Sequence, residues 1–248
     1  MADNARRIQA LDLIRRNIAQ HGHHIYVVSE APVPRFAYTI GLRERVGVEL
    51  ILAGAILYMK DEVVQILNDI AAQLKSRVAT ETPVFAAPPN GSFTLRKADS
   101  SWAKMLMLGA FDYYKADGIA ALQIVPDEGH RTIDVPDLSE PWSATGAPAW
   151  QWLHNPWTFP VPQRSVAATN LAALRGERIT EAVRWEEDEW EISAGPATEV
   201  PKDDMRVVPI GTLIAVDSTL SRVVELAIGE GVWRDESSNW QPWADAED

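Results

Sequence analysis

A proline- and tryptophan-rich stretch, residues 136–162, constrains the fold more than any other feature of the sequence. It holds six of the 16 prolines and four of the ten tryptophans in a chain of 248 residues. Proline lacks a backbone donor and fixes φ, so residues 147–160 cannot form a regular helix. Because disordered linkers are poor in aromatic residues, we predict an extended strap over residues 142–164, which packs onto one or both of the domains that it joins through Trp150, Trp152 and Trp157. The alternative is an aromatic binding patch for a ligand or a protein.

The segments on either side of the strap each predict an α+β domain, over residues 1–141 and 165–248. Apolar residues recur at helical spacing in residues 5–20 and 61–74, which predicts a helix in each. Runs of residues that are typical of strands lie between and after these two segments. Strands that follow one another through turns imply mostly antiparallel sheets, with helices on one face of each sheet. The second domain repeats this pattern in shorter elements.

Four segments carry more specific expectations. Residues 100–114 predict one helix, and residues 131–135 predict a strand. Residues 220–226 predict a short final helix. The apolar residues 208–215 fit either a strand or a short helix, because a short apolar run does not distinguish the two.

Acidic residues are concentrated in the last third of the chain. The formal charge is −12 overall, and residues 165–248 hold seven Lys and Arg against 18 Asp and Glu, a charge of −11. Such a field repels nucleic acid and anionic membranes and attracts a basic partner. The alternative is that the acidity only keeps the protein in solution.

The densest acidic run predicts where such a partner binds. We expect the partner surface to include Glu186, Glu187, Asp188 and Glu189, together with Asp203 and Asp204. A central aromatic residue supplies much of the energy in many interfaces, and Trp185 and Trp190 are the candidates, although Trp190 suits a core position better. The alternative for the acidic run is a solvated hairpin edge, where charge prevents association between sheets.

Several kinds of catalytic or metal site lack their usual residues. The chain has no cysteine, which excludes disulfides, thiolate nucleophiles, iron–sulfur clusters and cysteine zinc sites. It also lacks a glycine-rich phosphate loop and a Gly-x-Ser-x-Gly elbow. His21, His23 and His24 are close in sequence, but neighbours on a strand point to opposite faces. We therefore expect no metal and no cofactor.

An enzymatic alternative rests on His24 and Tyr38. These residues lie on predicted adjacent strands, where a His and a Tyr in one cleft could perform acid–base chemistry or hold a small molecule. They could equally be polar core residues with one hydrogen bond each.

Two further features bear on location. No apolar run approaches the roughly 20 residues that span a bilayer, and the first residues form no apolar signal core. We expect a cytoplasmic protein that does not bind membranes. The sequence does not specify its oligomeric state.

The first domain resembles a bacterial domain of unknown function (number four-two-six-two) over roughly residues 8–141. The resemblance rests on His21-Gly22-His23-His24-Ile25, Phe36-Ala37-Tyr38-Thr39-Ile40-Gly41-Leu42, Glu49-Leu50, Ile66-Leu67-Asn68, Gly109 with Tyr113-Tyr114, and Leu122-Gln123 with Pro126-Asp127. The family usually has Trp at the position of His23. It also has Trp before the Pro-Asp pair and often His-Pro before Glu-Leu, and this chain departs from it at these positions. The resemblance implies a fold and no defined activity.

The second domain resembles a small domain of bacterial toxin-immunity proteins (immunity family thirty-three and relatives) over residues 165–243. The matching positions are Trp190, Gly195, Val207-Val208, Leu213, Asp217-Ser218-Thr219-Leu220, Leu226, Gly229 and Arg234-Asp235. The family usually has Pro at the position of Ser218, and its acidic residues are partly replaced here by Ala197-Thr198-Glu199. The resemblance implies a non-enzymatic protein, an immunity factor or regulator, that binds and occludes a cationic partner such as a toxin.

Overall fold

The computed structural model describes residues 2–76, 84–196 and 200–243, and the chain divides into two compact units. The first unit comprises Met1–Val28, Arg35–Arg131 and Asp137–Trp142, and the second comprises Ser29–Pro34, Thr132–Pro136 and Ser143–Asp248. Each unit contains a six-stranded sheet with helices. The predicted α+β class is therefore confirmed, whereas the domain boundaries inferred from the sequence stay predictions.

The first unit contains five helices and six strands among the described residues. The helices are α1 (Ala2–His21), α2 (Arg43–Val46), α3 (Lys60–Ser76), α4 (Ser100–Leu106) and α5 (Leu108–Tyr114). The strands are β1 (His24–Val28), β2 (Phe36–Ile40), β3 (Glu49–Ala53), β4 (Val84–Ala86), β5 (Ser92–Lys97) and β6 (Ala121–Pro126), in the sheet order β1-β2-β3-β6-β5-β4. The pairing of β3 with β6 is parallel and the other four pairings are antiparallel.

Helices α1 and α3 both pack at the start of β1. His23, just before the strand, contacts Asn68 and Lys75 on α3, while His24, its first residue, contacts Asn17 on α1. The central strands β2 and β3 are buried at all five of their residues, a pattern that period-two alternation does not predict.

The second unit contains two short α-helices and six strands among the described residues. The helices are α6 (Leu171–Leu174) and α7 (Ile210–Val216), and the strands are β7 (Val166–Asn170), β8 (Glu181–Arg184), β9 (Glu189–Ser193), β10 (Met205–Pro209), β11 (Gly231–Arg234) and β12 (Trp240–Pro242). The sheet order is β10-β7-β9-β8-β11-β12. The pairing of β7 with β9 is parallel, and the other four are antiparallel.

The predicted strap is not extended throughout. Pro148–Leu153 forms a 3-10 helix, which begins with proline because its fixed φ suits a first helical position. Trp150 is buried and its indole N–H donates to Asp134 O (2.8 Å). The rings of Trp152, Trp157 and Phe159 pack edge to face, with centroids 5.0–5.8 Å apart. All of these contacts lie within the second unit.

Three other local predictions need correction. The helix predicted for residues 100–114 is interrupted at Met107, which leaves helical geometry (φ −98°, ψ 38°). Residues 131–135 form turns and no strand, and the helix predicted for residues 220–226 is replaced by two 3-10 helices, Ser218–Ser221 and Val223–Glu225. Residues 197–199, where the acidic positions of the immunity-type domain are replaced, lie outside the described residues.

Candidate functional site

His24 and Tyr38, the candidate acid–base pair, are both buried in the first unit. Only 9% of His24 and 2% of Tyr38 is exposed. His24 Nδ1 accepts a hydrogen bond from the Asn17 amide (2.8 Å), and the Tyr38 hydroxyl accepts one from the N–H of Gly109 (3.1 Å). Tyr26, directly opposite Tyr38 across the two strands, stacks on its ring at 5.6 Å.

Burial also fixes the protonation of this pair at neutral pH. It lowers the pKa of His24 and raises the pKa of Tyr38, because the charged form of each group is poorly solvated in the core. His24 is therefore neutral and Tyr38 keeps its proton. The geometry is that of satisfied core polar groups, and neither ring is accessible to a ligand.

The three neighbouring histidines face different surroundings. His21 is exposed at the end of α1. His23 Nδ1 accepts from the Lys75 ammonium (3.1 Å), and Nε2–H donates to Asn68 Oδ1 (3.1 Å). Burial, with the Lys75 charge, lowers the pKa of His23 to about 4. Within residues 2–76, 84–196 and 200–243, no group of His, Asp and Glu side chains is arranged to hold a metal ion.

Glu49, at the start of β3, is the most enclosed carboxylate of the first unit. Its side chain accepts hydrogen bonds from the Thr39 and Tyr114 hydroxyls (2.5 Å each) and from the N–H groups of Gly41 (3.0 Å) and Arg43 (3.1 Å). Gly41 has φ +99°, which favours glycine. Burial raises the pKa of Glu49, although all four donors oppose that rise. All four donors are internal, so this cluster holds β2, α2 and α5 together.

The predicted acidic run ends the connection between β8 and β9 and includes the first residue of β9, and we call Glu186, Glu187, Asp188 and Glu189 the acidic turn. Glu186, Glu187 and Glu189 are exposed, whereas Asp188 is half-buried and forms an ion pair with Arg164 (2.7 Å). Asp188 is thus already neutralised by a neighbour, and the other three carboxylates face solvent.

Arg184 holds the acidic turn in place. Its guanidinium lies 4.7 Å from the Trp190 ring centre and donates to Glu186 O (3.2 Å), Glu187 O (2.9 Å) and Leu226 O (2.8 Å). The backbone N–H groups of Trp185 and Glu186 both donate to Glu189 O (3.0 and 3.2 Å). The backbone of the turn is therefore held by hydrogen bonds within the second unit.

Asp203 and Asp204 are exposed, but they do not lie beside the acidic turn. They belong to a 3-10 helix, Lys202–Asp204, which leads into β10. β10 starts opposite Asn170, at one end of β7, whereas Glu189 pairs with Val166 at the other end. The two acidic groups, which the sequence predicted as one surface, therefore lie at opposite ends of β7, roughly 13 Å apart along the strand.

The sheet of the second unit has one buried face and one open face. The buried face carries Ala167, Ala182, Trp190, Ile192 and Val208, each at most 2% exposed. Paired residues share a face and alternate along each strand. We call the other side the open face, although Asn170, Val183, Ser193 and Gly231 on it are buried. It consists of Met205, Val207, Pro209, Val166, Ala168, Asn170, Glu189, Glu191, Ser193, Glu181, Val183, Gly231, Trp233 and Gln241, together with Trp185 and Trp243, which directly follow β8 and β12.

Three tryptophans stand on the open face and remain substantially in water. Trp185 is 51% exposed, Trp233 44% and Trp243 43%. Glu181, Glu189 and Glu191 share the face, and none of its positions in the described strands is Lys or Arg. This is an aromatic surface with a single sign of charge.

A cleft of about 430 Å³ lies on the open face, lined by Glu181, Val183, Trp185, Glu191, Ser193, Pro196 and Trp243. The buried Val183 also lines the cleft, and the indole N–H of Trp185 donates to Glu191 Oε2 (3.0 Å). Gly231 makes room for Trp243, because a Cβ there would stand 2.6 Å from the indole ring.

Trp185 and the acidic turn were predicted from the sequence, whereas Trp233, Trp243 and Glu181 were not. The signal available in the sequence was the alternation of side chains between the two faces of a strand. Trp190 is buried, as expected, so Glu189 and Glu191 must point the other way, and the pairing of Val183 with Glu191 brings β8 onto the same side. The pairing with β11 and β12, which adds the other two tryptophans, depends on a sheet order that the sequence does not reveal.

In the part of the chain that the structure describes, each helix is too short or too polar to cross a bilayer. No curated protein and no solved structure matches the chain. A family model does match residues 17–131, and its description is "Domain of unknown function (DUF4262)". The match supports the expected resemblance of the first domain and ends before the second, so the segment of 115 residues is similar to a family without an assigned activity.

Proposed function

We propose that this chain is a non-enzymatic protein that binds and occludes a cationic protein partner through its second unit, as an immunity factor or regulator does. The observation that carries the proposal is the open face, where three exposed tryptophans stand beside three glutamates and no Lys or Arg. Exposed aromatic clusters of this kind are uncommon on surfaces that bind nothing.

The acidic turn suits the encounter step of such binding. Charges of one sign accelerate association with an oppositely charged partner, and this effect weakens as salt screens the field. Because Arg184 fixes the backbone of the turn, little conformational entropy is lost when a partner docks there. The tryptophans would supply apolar contact that persists at high salt.

The alternative function, catalysis or small-molecule binding near His24 and Tyr38, has less support. Both rings are buried and hydrogen-bonded. A substrate would have to displace α1 or α5 to reach them, since these helices provide their hydrogen-bond partners.

The test is to capture the partner from the native cells and to measure its association rate with purified variants. Reversal of charge at Glu186, Glu187 and Glu189 to Lys should slow association by at least about tenfold at low salt, and by less at high salt. The matched control reverses Glu44, Asp117 and Glu128, which are exposed residues of the first unit. An association rate that responds equally to both triple variants, or to neither, would contradict the proposal.

A further inference from the structure

We propose that the cleft between Trp185 and Trp243 binds an arginine side chain of the partner, with the guanidinium beside an indole and between Glu181 and Glu191. This inference rests on the proposed function and names the chemistry that the open face recognises. The cleft volume of about 430 Å³ falls within the range of small ligand sites, about 300–1,000 Å³.

The hydrogen-bonding groups of the cleft favour a donor as ligand. A carboxylate, such as that of Glu181 or Glu191, only accepts hydrogen bonds. The Trp185 N–H is already donated to Glu191, and the Ser193 hydroxyl is donated to Gly195 O (2.9 Å). A sugar hydroxyl or a neutral amide needs donors as well as acceptors. Among the lining residues that the structure describes, Trp243 is the one side-chain donor whose N–H donates to no described residue. A cation that only donates fits this set best.

The arrangement of the two carboxylates favours arginine over lysine. Glu181 lies opposite Ser193, and Glu191 lies opposite Val183, so the two glutamates are diagonal neighbours on adjacent strands. Diagonal neighbours stand roughly 7–8 Å apart. A planar guanidinium with five N–H groups can donate toward both sides and stack on an indole, whereas an ammonium is a compact point charge.

Gly231 gives the cleft a feature that can be broken selectively. A Cβ at this position would lie 2.6–3.0 Å from three atoms of the Trp243 ring. Gly231→Ala must therefore push one wall of the cleft out of place without changing any charge. Gly118→Ala is the matched control, because a Cβ at Gly118 meets nothing within 4 Å.

The test uses the full chain labelled with 5-fluorotryptophan and two blocked tripeptides, acetyl-Gly-Arg-Gly-amide and its citrulline counterpart. Citrulline has the shape of arginine without the charge. The arginine peptide should shift the fluorine signals of Trp185 and Trp243 saturably, and the citrulline peptide should bind at least about tenfold more weakly. The signal of the buried Trp190 should stay constant and report an intact fold.

Two variants complete the test. Glu191→Gln keeps an acceptor for the Trp185 N–H but removes the charge, and it should weaken arginine binding at least about fivefold. Gly231→Ala should abolish the shift, and Trp243→Leu replaces it if that variant does not fold. Equal binding of the two peptides, no saturable shift, or unchanged affinity in Glu191→Gln would overturn the assignment.

The outcomes separate this inference from the proposed function. If the peptide fails to bind but reversal of the acidic turn still slows association with the captured partner, the cleft is not an arginine site and the partner surface remains. If both experiments fail, the proposed function fails as well.

Discussion

The two sheets of this protein have the same numbers of strands and of pairings of each type, but their faces differ in exposure to solvent. Each has six strands, with four antiparallel pairings and one parallel pairing among the described residues. In the first unit every residue of β2 and β3 is buried, whereas one face of the second unit's sheet carries three substantially exposed tryptophans. Fold topology alone therefore does not distinguish the two sheets, whereas the exposure of their side chains does.

Two glutamates show what this difference means chemically. Glu49 is fully buried and accepts from four donors of its own unit. Glu191 also holds an internal donor, the Trp185 indole, but it lines a cleft that opens to solvent. The first carboxylate is enclosed by its own unit, whereas the second faces the cleft for which we propose a ligand.

The largest expected effect separates two tryptophans of the second unit. Trp190→Ala should lower the free energy of unfolding by about 3–5 kcal/mol, because it leaves a cavity in the core and removes the ring under Arg184. Trp185→Ala, on the open face, should cost less than about 1 kcal/mol but weaken partner binding. Urea unfolding and a binding titration of both variants test the contrast, and a larger stability loss for Trp185→Ala would contradict it.

Glu49 should have the next largest effect, and that effect should be on stability. Glu49→Ala leaves the Thr39 and Tyr114 hydroxyls and two N–H groups without their acceptor, and each orphaned buried donor costs about 1–3 kcal/mol. We expect a loss of at least about 3 kcal/mol, against less than about 0.5 kcal/mol for exposed Glu44→Ala. The fluorine signal of Trp102, a buried residue of the first unit, follows the transition. Partner affinity at a temperature where the variant is folded should not change.

His23 should give the first unit a pH dependence below neutrality. Its pKa falls from 6.5 to about 4 on folding, so the unfolded chain binds a proton in a range where the folded chain does not. The contribution of His23 to the free energy of unfolding is fully present above pH 6.5 and declines as the pH falls toward 4. His23→Gln should flatten that part of the curve, as measured by urea unfolding across this range. An identical decline in the variant would show that other groups cause it.

The smallest expected effect on stability belongs to the acidic turn. Charge reversal at Glu186, Glu187 and Glu189 should change the free energy of unfolding by no more than about 0.5 kcal/mol per site, since all three side chains are exposed. Thermal unfolding measures this. A loss of several kcal/mol would mean that the turn stabilises the sheet, and its effect on association would then need another explanation.

The fold class could be predicted from the sequence because the spacing of apolar residues indicates helices and strands locally. Helical spacing located α1 and α3, and the ambiguous residues 208–215 proved to hold both the end of β10 and α7. The complete burial of β2 and β3 was not predicted, because the four apolar residues 50–53 of β3 show no alternation with polar residues. The break at Met107 was missed for a tertiary reason, since the helix restarts where the N–H of Gly109 meets Tyr38.

The site was predicted only in the part that is contiguous in sequence. The acidic turn is one run of residues, and its exposure follows from charge. The cleft combines β8 and β9 with Trp243, which follows β12, and this assembly depends on long-range pairing. Asp203 and Asp204 were grouped with the turn because they share its charge, but β7 separates them from it.

The central claim is that the open face of the second unit binds the partner. The most direct measurement is the fluorine spectrum of the full chain with 5-fluorotryptophan at all ten positions, recorded with and without the captured partner. The account predicts changes at Trp185, Trp233 and Trp243, with Trp102 and Trp190 unchanged. Changes at Trp102 alone, or none at the three exposed tryptophans while the partner is bound, would contradict it.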